Sequence, residues 1–302
     1  MEFKNIIGNK DIKEYLKHAI ESDNISHSYL FLGTDGIGKK IIAKKFAKNI
    51  LCNNTKEETC TCKSCTCFIS DNHPDFSIIN EEGSNIKIEQ IRNITEKVIE
   101  KPIISDKKVY IINDSDKMTK EAQNCLLKTL EEPPEYVTII LISSNENVIL
   151  NTIKSRCMSI KFKNISDENL SKFAVEILGY EELTPNMLKS FGGSIGKAIK
   201  LKENSNKYLT IENWVKDLSK KDIIDIIVDA KIIYDKENIN DILDYLIVCL
   251  FDISKEKMEY LNCIKHVNEC STKLKANANF DMCIDNLVFK MWEELNEGSC
   301  RN

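Results

Sequence analysis

A glycine-rich segment early in the chain has the residue types and the spacing of a phosphate-binding loop. Gly33, Gly38 and Lys39 form the pattern G-x-x-x-x-G-K, with a further glycine, Gly36, between them. An apolar run precedes the segment and a helical pattern follows it, which is the context that this motif requires. The backbone amides of such a loop attract phosphate, and its lysine reaches the terminal phosphates. The sequence therefore predicts a nucleotide-binding loop over residues 33–40.

Two positions that ATP hydrolysis would need carry unsuitable side chains. In an active loop the residue after the lysine is Ser or Thr, whose hydroxyl binds Mg²⁺, but here it is Lys40. The strand ending at Ile112 should be followed by an Asp that supports the metal and a Glu that activates water, whereas the chain has Asn113 and Asp114. We therefore expect a loop that does not hydrolyse ATP with Mg²⁺. Weak residual activity, and a glycine turn that binds no phosphate, are the alternatives.

Cysteines are concentrated in one short segment. Twelve occur in the whole chain, and five of them fall within residues 52–67. In a chain without signs of secretion the thiols stay reduced, so a dense cluster indicates a metal site rather than disulfides. Four thiolates satisfy tetrahedral Zn²⁺, and C-x-x-C is a common zinc-site spacing. We predict a closed, structural zinc module here, with Cys67 as a spare or substitute ligand and free thiols as the alternative. The predicted zinc ligands are Cys52, Cys60, Cys62 and Cys65.

The elements that must position these residues alternate between strand and helix in the first half of the chain. Short apolar runs indicate buried strands at residues 29–32, 76–79, 109–112 and 137–142. The segments between them carry apolar residues at helical spacing, and one such helix has Thr119 as its predicted N-cap and ends before Pro133. This alternation predicts an α/β fold, with a parallel sheet and helices on both of its faces.

The pattern changes in the second half, where strand signals stop and amphipathic helices continue to the end. We predict three domains: an α/β domain over residues 1–163, a small helical domain over 164–207, and a larger all-helical domain over 208–302.

Composition disfavours several classes of function. The chain has 302 residues, a formal net charge of −5 and a pI of about 5.6, so it has no overall attraction for nucleic acid. No apolar run approaches the ~20 residues that cross a membrane, and the N-terminus has no signal-peptide pattern. We expect a cytoplasmic protein. A zinc module that itself contacts DNA is a further alternative, and it predicts salt-dependent DNA binding.

Several blocks along the chain resemble one known family. They are residues 27–33 (HSYLFLG), 62–65 (CKSC), 73–75 (HPD), 126–134 (LLKTLEEPP) and 155–157 (SRC). The pattern covers residues 3–162 and resembles the delta prime family of clamp-loader subunits of bacterial DNA polymerase III, within the AAA+ superfamily. Weaker matches at residues 193–198 and 276–279 look like parts of that family's lid and collar domains.

The resemblance implies an AAA+ P-loop domain with an embedded zinc module, a helical lid and a helical collar. It implies a heteropentameric ring with motor (gamma/tau) subunits and a delta subunit, which hydrolyses ATP to place the sliding clamp on primed DNA. That ring is part of a DNA-directed DNA polymerase, a nucleotidyltransferase complex. The non-hydrolysing delta prime type agrees with Lys40, Asn113 and Gly196, the last of which stands where a motor subunit has a nucleotide-sensing arginine. The alternative is an active, motor-type ATPase subunit of a clamp loader.

The resemblance also gives Arg156, in the SRC block, a role in catalysis. In this family that arginine reaches in trans to the γ-phosphate of the ATP that a neighbouring subunit binds. Such an arginine finger accelerates phosphoryl transfer by about 10³–10⁵, and a planar guanidinium suits phosphate oxygens better than an ammonium does. Without the surrounding block, Arg156 would be read as an ordinary surface residue. His73, close to the cysteines, is expected in the turn before the next strand rather than on the metal.

Overall fold

The computed structural model describes residues 3, 6–54, 60–79 and 85–296. Contacts between its residues divide the chain into two compact units. The first consists of Met1–Ser166 together with Ser194–Gly196, and the second of Asp167–Gly193 and Lys197–Asn302. The predicted division between two helical domains at residue 207 falls inside the second unit and stays a prediction.

The centre of the first unit is a parallel sheet of five strands. They are β1 Ser28–Leu32, β2 Phe76–Ile79, β3 Lys108–Ile112, β4 Val137–Ser143 and β5 Met158–Lys161. Their order across the sheet is β2-β3-β4-β1-β5, and every neighbouring pair is parallel. All residues of β1, β3 and β4 are buried, as expected for apolar strands that are covered on both faces. The predicted α/β fold is confirmed.

Helices cover both faces of this sheet. Side chains alternate along a strand, so Phe31 of β1 packs into one hydrophobic core while Leu30 packs into the other. The hydroxyl of Thr119 accepts the N–H of Ala122 at 3.2 Å and caps the fifth helix, at the predicted residue. The helices of this unit are α1 Lys10–Glu21, α2 Lys39–Leu51, α3 Lys63–Ile69, α4 Ile88–Lys97, α5 Lys120–Glu131 and α6 Asn151–Lys154.

The described part of the second unit is built from helices. The helices are α7 Asp167–Glu176, α8 Pro185–Phe191, α9 Ile195–Glu203, α10 Ser205–Asp217, α11 Ile223–Asp229, α12 Ile239–Ser254, α13 Tyr260–Lys275 and α14 Phe280–Asn296, with the first two residues of α9 assigned to the first unit. Among them α12 carries the longest buried apolar face and packs against α8, α10 and α13, while α14 packs against α11 and α13. Glu212 of α10 is buried, and its carboxylate accepts the hydroxyls of Thr184 and Tyr245. Across the described residues, no helix has both the length and the apolar character that crossing a bilayer requires.

Candidate functional site

The predicted phosphate loop lies at the carboxyl end of β1, next to the ends of β4 and β5. It leaves the strand at Gly33 and enters α2 at Lys39. Gly36 and Gly38 have φ angles of 73° and 96°, a region that favours glycine because it has no side chain. The sequence therefore forms the expected strand, glycine turn and helix, with the start of α2 pointing into the loop.

Two groups of the loop that could meet a phosphate have partners inside the loop itself. The Lys39 ammonium donates to the carbonyl oxygens of Gly33 and Thr34, at 2.6 and 2.7 Å. The N–H of Gly36 donates to the carboxylate of Asp35 at 2.8 Å. Burial lowers the pKa of Lys39, although the nearby charge of Asp35 opposes that shift. A bound phosphate would have to replace these internal contacts.

The backbone of residues 194–196 lies directly on the loop. The N–H of Gly196 donates to the carbonyl oxygen of Gly36 at 3.0 Å. A Cβ placed on Gly196 would stand 2.9 Å from the Cα of Gly36, and one placed on Gly36 would collide with the hydroxyl of Ser194. Both glycines are therefore needed for this close approach, and the first unit includes residues 194–196 because of it.

The two residues that stand in place of the expected Asp and Glu directly follow β3. Asn113 is buried, and its N–H donates to the carbonyl of Ile79 at 3.0 Å. The carboxylate of Asp114 pairs with Lys117 at 3.1 Å. Lys40 lies in the first turn of α2, where an active loop would have its hydroxyl.

Asp116 is an acidic residue at this edge that sequence reasoning missed. Its carboxylate accepts the N–H of Ser144 at 3.2 Å and the hydroxyl of the same residue at 3.0 Å. Since Ser144 directly follows β4, the pair joins the ends of two neighbouring strands. It also places a negative charge near Lys39. No motif in the sequence marked this contact.

The cysteine cluster brings together the four residues that were predicted as ligands. The sulfurs of Cys52, Cys60, Cys62 and Cys65 all lie within 4.8 Å of one another. The Sγ of Cys52 is 3.6 Å from that of Cys60 and 4.0 Å from that of Cys62. A tetrahedral zinc ion with Zn–S bonds of about 2.3 Å has sulfurs about 3.8 Å apart. The donor set and its spacing therefore fit Zn²⁺.

The Cys65 thiol keeps its proton when no metal is bound. Burial, followed by the neighbouring thiols of Cys52 and Cys62, raises the pKa of the Cys65 thiol well above its usual range. A metal ion would replace the thiol protons, so its affinity depends on pH. Cys67 lies on α3 outside the group of four.

A buried polar network lies beside the cysteines. His73 Nε2 lies 2.9 Å from the hydroxyl of Ser64 and 3.2 Å from that of Ser105, while Nδ1 accepts the N–H of Asp75 at 3.1 Å. Both serine hydroxyls donate to the carbonyl oxygen of Leu51, at 2.6 and 2.7 Å. Both ring nitrogens of His73 are thus engaged outside the sulfur cluster, and the network fixes the backbone on either side of it.

Asp75 ties this network to the loop before β3. Its carboxylate accepts the N–H groups of Ile103, Ile104 and Ser105, at 2.7, 2.8 and 2.9 Å. Burial alone would raise the pKa of Asp75, but these three hydrogen bonds outweigh it and lower the pKa below its ordinary value. The HPD block was visible in the sequence, but its partners at residues 103–105 were not.

Arg156 lies between α6 and β5, on the surface of the first unit. Its Nη2 pairs with the carboxylate of Glu131 at 2.8 Å, and its Nη1 donates to the carbonyl of Thr152 at 2.9 Å. The carbonyl of Arg156 accepts the hydroxyl of Ser28, the first residue of β1, at 2.6 Å. Burial raises the pKa of the neighbouring Cys157 thiol to about 11, so that residue packs as a neutral side chain. The side chain of Arg156 is 34% exposed and is therefore accessible from outside the chain.

Comparison with known proteins gives consistent relatives. A family model described as DNA polymerase III, delta subunit, matches residues 8–166. DNA polymerase III subunit delta' of Bacillus subtilis is 34% identical over 197 residues, which are 64% of this chain and 59% of the relative. DNA polymerase III subunit gamma of Buchnera aphidicola subsp. Acyrthosiphon pisum is 34% identical over 223 residues, 70% of this chain and 62% of the relative. The chain thus spans less than two thirds of the length of these relatives.

A solved structure shares the fold. It is a DNA polymerase III, gamma subunit-related protein from Thermotoga maritima, with a TM-score of 0.52 and 19% sequence identity. The match covers 93% of this chain and 99% of that one. At this level of identity the likeness concerns the fold alone.

Proposed function

This chain belongs to the family described as DNA polymerase III, delta subunit, and on that premise we propose that it is a non-hydrolysing clamp-loader subunit of the delta prime type. Its partners would be motor (gamma/tau) subunits and a delta subunit in a heteropentameric ring in the cytoplasm. That ring would load the sliding clamp onto primed DNA during replication. Delta' and gamma relatives match this chain at the same 34% identity, so similarity alone does not separate the two types.

The observation that carries the delta prime assignment is Lys40, at the position where hydrolysis needs a metal-binding hydroxyl. An ammonium supplies no oxygen ligand, and it adds positive charge where Mg²⁺ would sit. Asn113 removes a second group that would support the metal. The internal partners of Lys39 and the contact between Gly36 and Gly196 further support a loop that keeps its shape without nucleotide.

In this proposal the chain contributes to catalysis through Arg156. Its guanidinium would stabilise the charge that develops on the equatorial phosphate oxygens of ATP bound to the neighbouring subunit. The finger is supplied from a fixed backbone, because the carbonyl of Arg156 is tied to Ser28. The chain would act on the reaction without possessing a complete active site.

The four clustered cysteines would hold a structural zinc ion. With four protein sulfurs the coordination shell is complete, and a closed site of this kind stabilises the fold rather than binding substrate. Cys52 directly follows α2, which begins in the phosphate loop, so the module would anchor the far end of that helix.

The test is ATP turnover by the ring rebuilt with motor and delta subunits, clamp and primed DNA. With the other motor sites inactivated for hydrolysis, so that only the ATP site facing this chain is measured, Arg156→Ala should slow turnover by at least about tenfold, since fingers contribute about 10³–10⁵ at the site that receives them. Lys154→Ala, which removes a nearby positive charge, is the matched control and should have little effect. Unchanged turnover with Arg156→Ala would contradict the proposal.

A motor-type ATPase is the second candidate function. It is favoured by the gamma relatives, one of which aligns with 70% of the chain. The isolated chain separates the two functions. A delta prime subunit should show no ATP turnover above a Lys39→Ala control, whereas a motor subunit should show turnover that this substitution abolishes.

A further inference from the structure

The side chain of Arg156 is held by two acceptors of its own chain. One is the carboxylate of Glu131, the last residue of α5, 2.8 Å from Nη2. The other is the carbonyl oxygen of Thr152 in α6, 2.9 Å from Nη1. The acceptors come from two different helices, so together they fix both the position and the plane of the guanidinium.

These contacts use only part of the hydrogen-bonding capacity of the group. A guanidinium has five N–H donors in a fixed plane. Among the described residues, the partners of this guanidinium meet only its Nη1 and Nη2 atoms. A longer contact of 3.4 Å joins Nη1 to the hydroxyl of Ser155. The Nε–H and one hydrogen of Nη2 remain for an outside acceptor, and the side chain is 34% exposed.

We propose that Glu131 is the positioning residue of Arg156, holding the guanidinium in the orientation in which it meets a phosphate of the neighbouring subunit. This inference rests on the proposed trans role of Arg156. Glu131 does not touch the nucleotide in this scheme, and it acts only through the arginine. The guanidinium that would donate hydrogen bonds to the phosphate is thereby ordered before the subunits meet.

The physical gain is preorganisation. A free arginine side chain has many rotamers, and freezing them during the reaction would slow the step. Glu131 and Thr152 order the side chain of Arg156 before the reaction begins. The negative charge of Glu131 opposes an incoming phosphate, but the side chain is 48% exposed and solvent screens its charge. The positioning of Arg156 by Glu131 should therefore affect ATP turnover more than the negative charge of Glu131 does.

Substitutions at Glu131 can separate geometry from charge. Glu131→Gln keeps an acceptor oxygen at the same reach and removes the charge. Glu131→Asp keeps the charge and shortens the reach by one methylene. If positioning matters, ATP turnover of the rebuilt ring should be near normal with Glu131→Gln and roughly three- to tenfold slower with Glu131→Asp or Glu131→Ala. Glu132→Ala, which removes the adjacent carboxylate, is the matched control and should behave like the unmodified chain.

A double substitution tests whether Glu131 acts through the arginine. In the Arg156→Ala background, adding Glu131→Ala should cause no further loss, because the group to be positioned is gone. The slowing by Glu131→Asp should appear in kcat with KM for ATP unchanged, since the arginine acts on the transition state. Thermal unfolding and ring assembly are measured for each variant. If Glu131→Ala does not assemble, Glu131→Asp replaces it in the double substitution.

Three results would overturn the inference while leaving the proposed function intact. They are normal or faster turnover with Glu131→Asp, slowing by Glu131→Gln equal to that by Glu131→Asp, and a further loss when Glu131→Ala is added to Arg156→Ala. If Arg156→Ala alone leaves turnover unchanged, the proposed function itself fails. The two failures are therefore distinguishable in one set of measurements.

Discussion

The imidazole of His73 accepts the backbone N–H of Asp75 at Nδ1, over 3.1 Å. The proton of the neutral ring therefore sits on Nε2, where it is donated to the hydroxyls of Ser64 and Ser105. Those hydroxyls in turn donate to the carbonyl of Leu51, so donors and acceptors alternate through the network. Burial lowers the pKa of His73, which favours this neutral state although the charge of Asp75 opposes the shift. A fully satisfied buried network of this kind specifies one arrangement of the segments that it joins.

Asp75→Asn should destabilise the protein by about 2–4 kcal/mol at neutral pH, because three backbone N–H groups lose a charged acceptor. The pKa of Asp75 is lower in the folded protein than its ordinary value of 3.8. Its contribution is therefore fully present above that value and is lost as the pH falls through the lower, folded pKa. The measurement is the free energy of unfolding of both proteins between about pH 7 and about pH 3, in chelator so that metal release does not interfere.

The difference between the two proteins should be constant in the upper part of this range and shrink at its acidic end. Asp71→Asn, at an exposed residue of the preceding turn, is the control. A difference that grows on acidification would contradict the hydrogen-bonding account of Asp75.

The metal prediction concerns occupancy and ligand choice. The purified chain should contain one Zn²⁺, because four thiolates complete a tetrahedral shell. Cys65→Ser should lose the metal or bind it far more weakly, whereas Cys67→Ser should retain it. Native mass spectrometry with chelator competition measures both. Equal loss in the two variants would mean that Cys67 belongs to the ligand set.

Lys39→Ala should leave ATP turnover of the rebuilt ring within about twofold of normal, because in this proposal the loop of this chain does not hydrolyse ATP. The same substitution in a motor subunit is the positive control and should reduce turnover strongly. Circular dichroism checks that the loss of the contacts to Gly33 and Thr34 leaves the fold in place. A large loss from Lys39→Ala in this chain would support the motor-type alternative.

Gly196→Ala should destabilise the first unit by about 1–3 kcal/mol, because its Cβ would stand 2.9 Å from the Cα of Gly36 and the backbone has to shift. Ile199→Ala, at an exposed residue of the same helix, is the control. Chemical denaturation gives the free energies. If the free energy of unfolding of Gly196→Ala is unchanged, residues 194–196 can move away from the loop without destabilising the first unit.

The sequence was sufficient for the fold of the first unit because each buried strand is a continuous apolar run. The run at residues 109–112 became β3, and the Thr119 cap lies where the helix pattern placed it. Helix ends were less accurate. The apolar residues at helical spacing after residue 88 continue to Ile99, whereas the helix α4 ends at Lys97. The short helices α3 and α6 were not predicted, since neither is long enough to show a period.

The residues of the site could be predicted only where they lie close to one another along the sequence. Cysteine spacing and the glycine pattern lie within short segments and could be read directly. The contacts that hold those segments could not. Asp75 meets residues 103–105, and Glu131 meets Arg156, only because the parallel sheet brings distant loops together. Likewise, nothing in the sequence pattern showed that Gly36 would contact Gly196.

The hydrogen bond between Ser28 and the carbonyl of Arg156 has a mechanical consequence. Ser28 begins β1 and Gly33 follows its end, so a single strand of five residues, about 17 Å long, runs from the base of the arginine to the phosphate loop. In a subunit whose loop changes shape as nucleotide binds and is hydrolysed, this strand would transmit each change to the arginine that faces the neighbouring subunit. In this chain the Lys39 ammonium and the Gly36 N–H already have partners within the loop, and under the proposed lack of hydrolysis the strand would have no such change to transmit. The proposed ring would then have one subunit boundary whose timing is set entirely by the partner that binds the ATP.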